Sequence, residues 1–308
     1  MHLRLQAYGM PYRLPVMRQS RVQAGKGKFM SKIISMQEAA ALVSDGTVLG
    51  IGGNVLHRAP MAFIRELVRQ RKSNLKLVKT AGAMDVDMLC LGECVTSVDA
   101  GFISYETEFS LAMHYRKAVE SGRVKGNEHA CYTVISALRA ASYGIGFMPV
   151  KGLTVSDLIE ENDYFTRIQD PFTNEMVTVV KAIRPDVAII HVQEADEDGN
   201  ARITGSLFED ILLSRAAKSV ILTAEHIVPG SLFSSGTKKA DIPHFLVRGV
   251  VHAAKGAAPC SCAGNYDIDT KGIGTFKEIK DQEGLAVYLS AYEKADHRGW
   301  GGKNNGKR

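Results

Sequence analysis

Thr47-Val48-Leu49-Gly50-Ile51-Gly52-Gly53-Asn54-Val55-Leu56-His57-Arg58-Ala59-Pro60 is the stretch from which the fold of this 308-residue chain is read. Thr47 to Ile51 is a short β-branched and apolar run, the pattern of a buried strand, and Gly52 and Gly53 stop it. Pro60 suits the first turn of a helix because the N–H it lacks would have no partner there, and Ala62, Phe63, Leu67 and Val68 supply apolar helical spacing. Upstream, Ser35-Met36-Gln37-Glu38 has the capping-box pattern, so a helix is expected from Met36 to about Val43, ended by Asp45-Gly46. The opening unit is helix, strand, Gly-rich loop, helix.

Outward from this unit the alternation continues. Strands are expected at Leu75–Lys79, Val95–Ala100, Phe147–Val150, Val187–Val192 and Ser219–Ala224, with helical patterns near Phe109–Val119, Cys131–Ala141 and Leu207–Ala217. That order predicts an α/β fold, a mostly parallel sheet with helices on both faces. Between Thr166 and Lys181 the Asp170-Pro171 turn and the Val-rich run from Val177 to Val180 predict a hairpin-like insertion, a small peripheral β layer.

Composition narrows the class. The chain is 45% hydrophobic and 23% charged, enough for a substantial core. Its net charge of +5 suggests nucleic acid only until it is located, because residues 1–29 hold six Lys or Arg and residues 297–308 hold four, neither with any acid. The body between them is net acidic, so no nucleic-acid partner is expected. No apolar run is long enough to span a bilayer, no secretory signal is legible, and the five cysteines form no Cys-x-x-Cys pair, so a cytoplasmic protein without disulfides, zinc or a membrane partner is expected.

The Gly-rich loop has two readings. Glycines let a ligand approach the backbone, and N–H groups ahead of a helix bind anions; the same residues also make a turn with no ligand. No Lys-Ser or Lys-Thr follows as in a P-loop, and the third glycine of a dinucleotide fingerprint is missing.

Gly52-Gly53-x-x-x-x-Arg58-x-Pro60 resembles the corresponding segment of family I CoA-transferase alpha subunits, closest to the glutaconate CoA-transferase type and to the alpha subunits of related ring-cleaving CoA hydrolases. Asp170-Pro171-Phe172, Pro185-Asp186-Val187-Ala188-Ile189-Ile190-His191, Asp198-Gly199-Asn200-Ala201 and Ala216-Ala217-Lys218 with Glu225 follow in the family's order. On this resemblance residues 30–296 form one CoA-transferase alpha-type domain, preceded by a disordered leader or upstream extension (1–29) and followed by a disordered basic tail (297–308). The family's Gly-Ala-His-Pro is Gly256-Ala257-Ala258-Pro259 here, and the lost histidine puts an identical substrate in doubt.

The resemblance implies a transfer of CoA between an acyl-CoA and a carboxylic acid, through a glutamyl-CoA on a beta-type partner subunit, with acyl-CoA as substrate and no permanently bound cofactor or metal. No Glu in the sequence is followed by Gly at both the second and fifth positions, the pattern of the nucleophile-bearing chain; Glu120 and Glu197 meet only the first condition. Gly52, Gly53, Asn54 and Arg58 are the expected CoA-binding and oxyanion residues. The backbone N–H groups of Gly53 and Asn54 would be the donors, and Gly53→Val would block the backbone without unfolding the chain. Arg58 would pair with a carboxylate or a CoA phosphate, or form a plain ion pair.

Glu128, in Asn127-Glu128-His129-Ala130-Cys131, is the remaining catalytic candidate. It caps a helix start on one reading and on the other orients water or acts as general base. That second role defines an alternative function, a ring-opening CoA-thioester hydrolase; a non-catalytic acyl-CoA-binding protein is a further alternative. His57 reads as a loop histidine, His129 and Cys131 as helix residues, Glu106 as a cap, and Asp196 to Asn200 as a turn rather than a metal loop.

Overall fold

The structure is a computed structural model that describes residues 31–153, 156–234 and 239–298, so the leader and nearly all of the basic tail lie outside the described residues. The strands are β1 (Val48–Ile51), β2 (Leu75–Gly82), β3 (Val95–Ile103), β4 (Lys125–Glu128), β5 (Phe147–Pro149), β6 (Phe165–Gln169), β7 (Met176–Lys181), β8 (Val187–Ala195), β9 (Ala201–Arg202), β10 (Ser219–Ile227) and β11 (Val247–His252). Seven of them run parallel in the order β11-β10-β8-β1-β2-β3-β4, with β9 antiparallel on β8.

Two hydrophobic clusters sit on the two faces of this sheet. Leu49, Ile51, Leu77 and Ile189 point into the first, against helices Met36–Ala41, Met61–Arg69, Met84–Leu91, Thr270–Lys277 and Gln282–Asp296. Val78, Ala188, Ile190 and Val192 point into the second, with helices Cys131–Ser142 and Asp210–Ala216. A strand covered on both sides has no polar face to alternate, which is why β8 is an almost unbroken apolar run.

The order of the strands fixes where a ligand crevice falls. From β1 the chain steps outward through β2, β3 and β4; it then returns to the other flank of β1 and steps outward through β8, β10 and β11. The direction reverses between β1 and β8, and in open α/β sheets a crevice opens beyond the carboxyl ends of the strands at such a reversal. The Gly-rich loop leaves β1 there.

The first turns follow their sequence signals closely. Ser35 Oγ accepts the Glu38 N–H at 3.1 Å while Glu38 Oε2 accepts the Ser35 N–H at 2.8 Å, the reciprocal cap read from the sequence. The insertion is an antiparallel three-stranded sheet, β5-β7-β6, turned at Asp170.

Two expectations change. Phe147 belongs to the small sheet, paired with Lys181, because its flanking glycine and half-exposed surroundings suit an edge rather than the buried parallel sheet. Glu128 ends strand β4, ahead of the helix start at Cys131, and therefore caps nothing. β4 reads Lys-Gly-Asn-Glu, an edge strand with no apolar residue, held by its pairing with β3 and by the Asn162 side chain, which donates to Glu128 O at 2.6 Å.

The C-terminal helix Gln282–Asp296 is locked to helix Met61–Arg69 by charge. Arg65 holds Asp296 in a bidentate pair at 2.6 and 2.7 Å and Arg69 adds a third contact at 2.7 Å. His297, the first residue of the expected tail, is tied to Glu66 at 2.7 Å, so the folded body extends past residue 296. Among the described residues, no helix is long and apolar enough to cross a membrane.

Candidate active site at the strand reversal

The loop after β1 is folded upon itself. Gly52 still donates to Ile189 O at 2.8 Å, as a strand residue would. Asn54 and His57 exchange backbone hydrogen bonds at 2.9 and 2.8 Å, closing a two-residue hairpin over Val55 and Leu56, and the Val55 N–H reaches Ala81 O at 3.0 Å. Arg58 donates to Ser261 O at 2.7 Å, and Ser261 donates back to Leu56 O at 2.9 Å, so a distant segment braces the loop. Gly53 adopts φ +72, and a Cβ there would lie 2.5 Å from Arg58 O; glycine is needed for the loop's own backbone to fold this tightly.

These bonds change the role expected of the loop. The Gly53 N–H is given to Asp210 Oδ1 at 2.8 Å and the Asn54 N–H to His57 O. Neither is free to receive a thioester oxyanion in this conformation, because an internal carboxylate and the loop's own hairpin already use them.

Arg58 is buried as well. Its guanidinium forms an ion pair with Asp210 and donates to His191 O at 2.9 Å and Ser206 O at 3.0 Å. Of its expected roles, the plain ion pair is the one present. The opposite side of the loop is held by Lys79, whose side chain is fully buried; its ammonium donates to Gly52 O at 2.6 Å and Gly53 O at 3.1 Å and pairs with Asp85 at 2.9 Å. Three acceptors thus face the lysine nitrogen, one for each N–H an ammonium donates.

Gly52, Gly53, Asn54 and Arg58 are therefore brought together, but Glu128 is not. It is exposed and level with Ala100 across the sheet, three strand spacings from β1, or roughly 14 Å. The carboxyl that does adjoin the loop is Glu209, half-buried, next to Asp210 and hydrogen-bonded by the Asn54 side chain; burial, reinforced by Asp210, raises its pKa.

A cleft of about 270 Å³ opens beside the loop, lined by His57, Arg58, Ser206, Phe208 and Ser261 among others. His57 Nδ1 meets Ser261 Oγ at 2.8 Å and its ring stacks on Phe208, so the loop histidine is part of the cleft wall. A larger groove of about 680 Å³ between Arg69, Lys72, Gly92 and the last helix lies at the opposite, amino-terminal edge of the strands, away from this chemistry.

Behind Arg58 lies a buried polar network. His191 Nδ1 meets Thr223 Oγ1 at 2.8 Å and Nε2 meets Glu225 Oε1 at 2.8 Å, while Glu225 also accepts the Tyr266 hydroxyl at 2.5 Å and the Lys255 N–H at 2.8 Å. Burial opposes ionisation of Glu225, but these donors hold its pKa below the usual carboxylate range. Cys262 approaches the same cluster, and its ligand atom lies within 4.8 Å of those of His191 and Glu225. Each of the three has a hydrogen-bond partner, so the donor set is closed by its own hydrogen bonds without calling for an ion. His129, for its part, is a buried residue between Asp99 at 3.3 Å and Thr133 at 3.3 Å.

Lys79, Glu209 and Asp210 were not read from the sequence. Lys79 carried a signal, a charge inside a buried strand with an acid shortly after; Glu209-Asp210 reads only as an acidic helix start.

Comparison with known proteins agrees with this geometry. Residues 33–253 match the family model for coenzyme A transferase. The chain is 30% identical over 288 residues to the A subunit of glutaconate CoA-transferase from Acidaminococcus fermentans, covering 87% of this chain and 90% of that one. The crystal structure of that enzyme superposes with a TM-score of 0.81, covering 85% of this chain and 88% of the other. A decarboxylase AibA/AibB variant superposes with a TM-score of 0.77 at 32% identity, covering 86% and 100%. An uncharacterized protein of Archaeoglobus fulgidus is 33% identical over 275 residues, covering 88% of this chain, which in turn spans only 61% of that protein's length. With its parallel sheet, its strand reversal and the braced loop that leaves β1, this chain belongs to the coenzyme A transferase family.

Proposed function

We propose that the chain is the alpha subunit of a heteromeric CoA-transferase that moves CoA between an acyl-CoA and a carboxylic acid. The observation that carries this reading is a half-site: a braced Gly-rich loop and a cleft at the strand reversal, in a chain without the nucleophile motif. A beta-type partner would supply the glutamate. Its carboxylate attacks the acyl-CoA carbonyl, breaking the C–S bond to give a mixed anhydride and CoA thiolate; the thiolate then attacks the glutamyl carbonyl, forming glutamyl-CoA and releasing the first acid as carboxylate. A second carboxylate runs the sequence backward and leaves as the new acyl-CoA.

Within this scheme Gly52, Gly53, Asn54 and Arg58 act as wall and scaffold for acyl-CoA, with His57, Ser206, Phe208 and Ser261 completing the cleft. Because the loop's N–H groups are already used, the oxyanion donors are assigned to the partner. The relatives support a two-chain enzyme, since the glutaconate CoA-transferase relative is named as one subunit of its enzyme and the AibA/AibB decarboxylase is named for two components.

Co-expression with a beta-type partner, incubation with acyl-CoA and mass measurement of both chains tests the scheme. A CoA adduct on a partner glutamate is the expected result. An adduct on this chain alone, or hydrolysis of acyl-CoA with no adduct, overturns it, and the latter favours a thioester hydrolase. CoA binding without turnover points to a non-catalytic binding protein.

A further inference from the structure

Phe208 combines two features that a plain turn residue does not need. Its backbone adopts φ +45, a region that glycine, asparagine and aspartate enter readily and a bulky side chain enters only at a cost. The residue is also left 37% exposed, on the wall of the cleft beside the Gly-rich loop. A turn that had only to lead into the helix Asp210–Ala216 would be met by glycine without strain. Such strain persists where the surroundings hold it, and it is concentrated at ligand sites.

Two neighbours hold the ring. The His57 imidazole stacks on it with centroids 6.5 Å and planes 24° apart, and the Arg58 guanidinium carbon lies 5.6 Å from its centre. Arg58 is itself fixed by Asp210 and by His191 O and Ser206 O, so the ring rests on parts of the site that are already braced. The facing wall is fixed too: Gln193, buried on β8, accepts the Thr204 N–H at 3.0 Å and donates to Thr204 O and Ala263 O, each at 3.0 Å. His57, Arg58 and Ser261 are tied by hydrogen bonds, and Thr204, Ser206 and Ala263 are small. Among the described residues lining the cleft, Phe208 is therefore the bulky group that sets its free width. The volume of about 270 Å³ takes about nine non-hydrogen atoms, at the ~30 Å³ that each water-sized group occupies in a liquid.

The geometry points to Phe208 as the residue that sets the size of the acyl group the site accepts: its ring is a fixed wall of the cleft, and acyl chains longer than the cleft holds are turned away by contact with it. The physical basis is close packing, since a braced wall cannot yield to an extra methylene without breaking the contacts that hold it. This rests on the CoA-transferase reading, which brings an acyl group to the strand reversal, and it assigns the cleft to that group.

The test uses the complex of this chain with its beta-type partner and compares butyryl-, hexanoyl-, octanoyl- and decanoyl-CoA as donors, with the other free acids of the series as acceptors. In the wild type, kcat/KM should fall by about tenfold or more for each methylene beyond the length that fills the cleft. Phe208→Gly should move that fall to longer chains and raise the decanoyl-to-butyryl ratio of kcat/KM by about tenfold or more, whereas Phe208→Trp should move it to shorter chains. Glycine also relieves the strained backbone, so the thermal midpoint of Phe208→Gly should not drop, which separates lost selectivity from lost fold. The same length profile in the wild type and both variants overturns the proposal. Loss of the partner from the Phe208→Gly complex on gel filtration also overturns it, because the ring would then be an interface residue. Calorimetric binding of the four acyl-CoAs supplies a readout that needs no turnover. If the length limit moves with residue 208 in that measurement while no CoA is transferred, the transferase reading fails and the role of Phe208 stands; if CoA is transferred with one length limit in all three proteins, the transferase reading stands and the role of Phe208 falls.

Discussion

Arg58 and Asp210 form an ion pair in which the two side chains are only 3% and 1% exposed, and the same aspartate takes the Gly53 N–H at 2.8 Å. One carboxylate thus holds the guanidinium that lines the cleft and the glycine that shapes the loop. Asp210→Ala strands a buried cation and should cost about 3–5 kcal/mol of stability in urea unfolding, whereas converting both partners to apolar residues should recover much of the loss. A loss below about 1 kcal/mol for the single variant would show the pair to be hydrated.

Gly53 marks where the structure redirects an expectation. The sequence suggested that Gly53→Val would obstruct a ligand and leave the fold intact. The added Cβ instead meets the loop's own backbone at Arg58 O, in a φ > 0 conformation that side chains rarely adopt. Even Gly53→Ala should lower stability by about 1–3 kcal/mol, read from the thermal midpoint, with any loss of CoA binding following the loss of fold.

Asp296 should be the anchor of the last helix. Replacing it by alanine leaves Arg65, which is almost completely buried, and Arg69 without their shared carboxylate, and should destabilise the chain by about 3 kcal/mol or more. Hydrogen exchange should report the damage first along Gln282–Asp296; unchanged protection there would contradict the assignment.

The cysteines should differ sharply in reactivity. Cys90, Cys94, Cys260 and Cys262 are buried, and desolvation pushes the thiol pKa up, to about 12 for Cys94 and about 11 for Cys262. Cys131 is only half-buried; burial and then the nearby Glu209 raise its pKa more modestly. Iodoacetamide at pH 8 on the isolated native chain should modify Cys131 first by mass spectrometry, and the other four only after denaturation.

Local signals carried the sequence reading wherever an element's stability is local. The Ser35 cap, the β1–loop–helix unit and the Asp170 hairpin need only neighbours in sequence, and all three are present. β4 and β11 were missed for opposite reasons: Lys125 to Glu128 has no apolar residue and exists through its pairing with β3, and Val247 to His252 is interrupted by Arg248 and Gly249. The site was legible only in its loop. Which groups meet that loop depends on strand order, which brings residue 210 beneath residue 53 and leaves Glu128 at the sheet's far edge.

The brace on the Gly-rich loop also sets an order of assembly. The loop follows an early strand, yet three of the residues that hold it, Ile189, Asp210 and Ser261, are synthesised much later. Contacts of such high sequence separation form late because the intervening chain must first be confined. On the ribosome β1 and β2 have emerged, with the Lys79 and Ala81 contacts, while the loop between them still lacks these later supports, so fragments ending before Ser261 should keep the first strands without a finished loop, and the cleft beside it is walled only once residue 261 is in place.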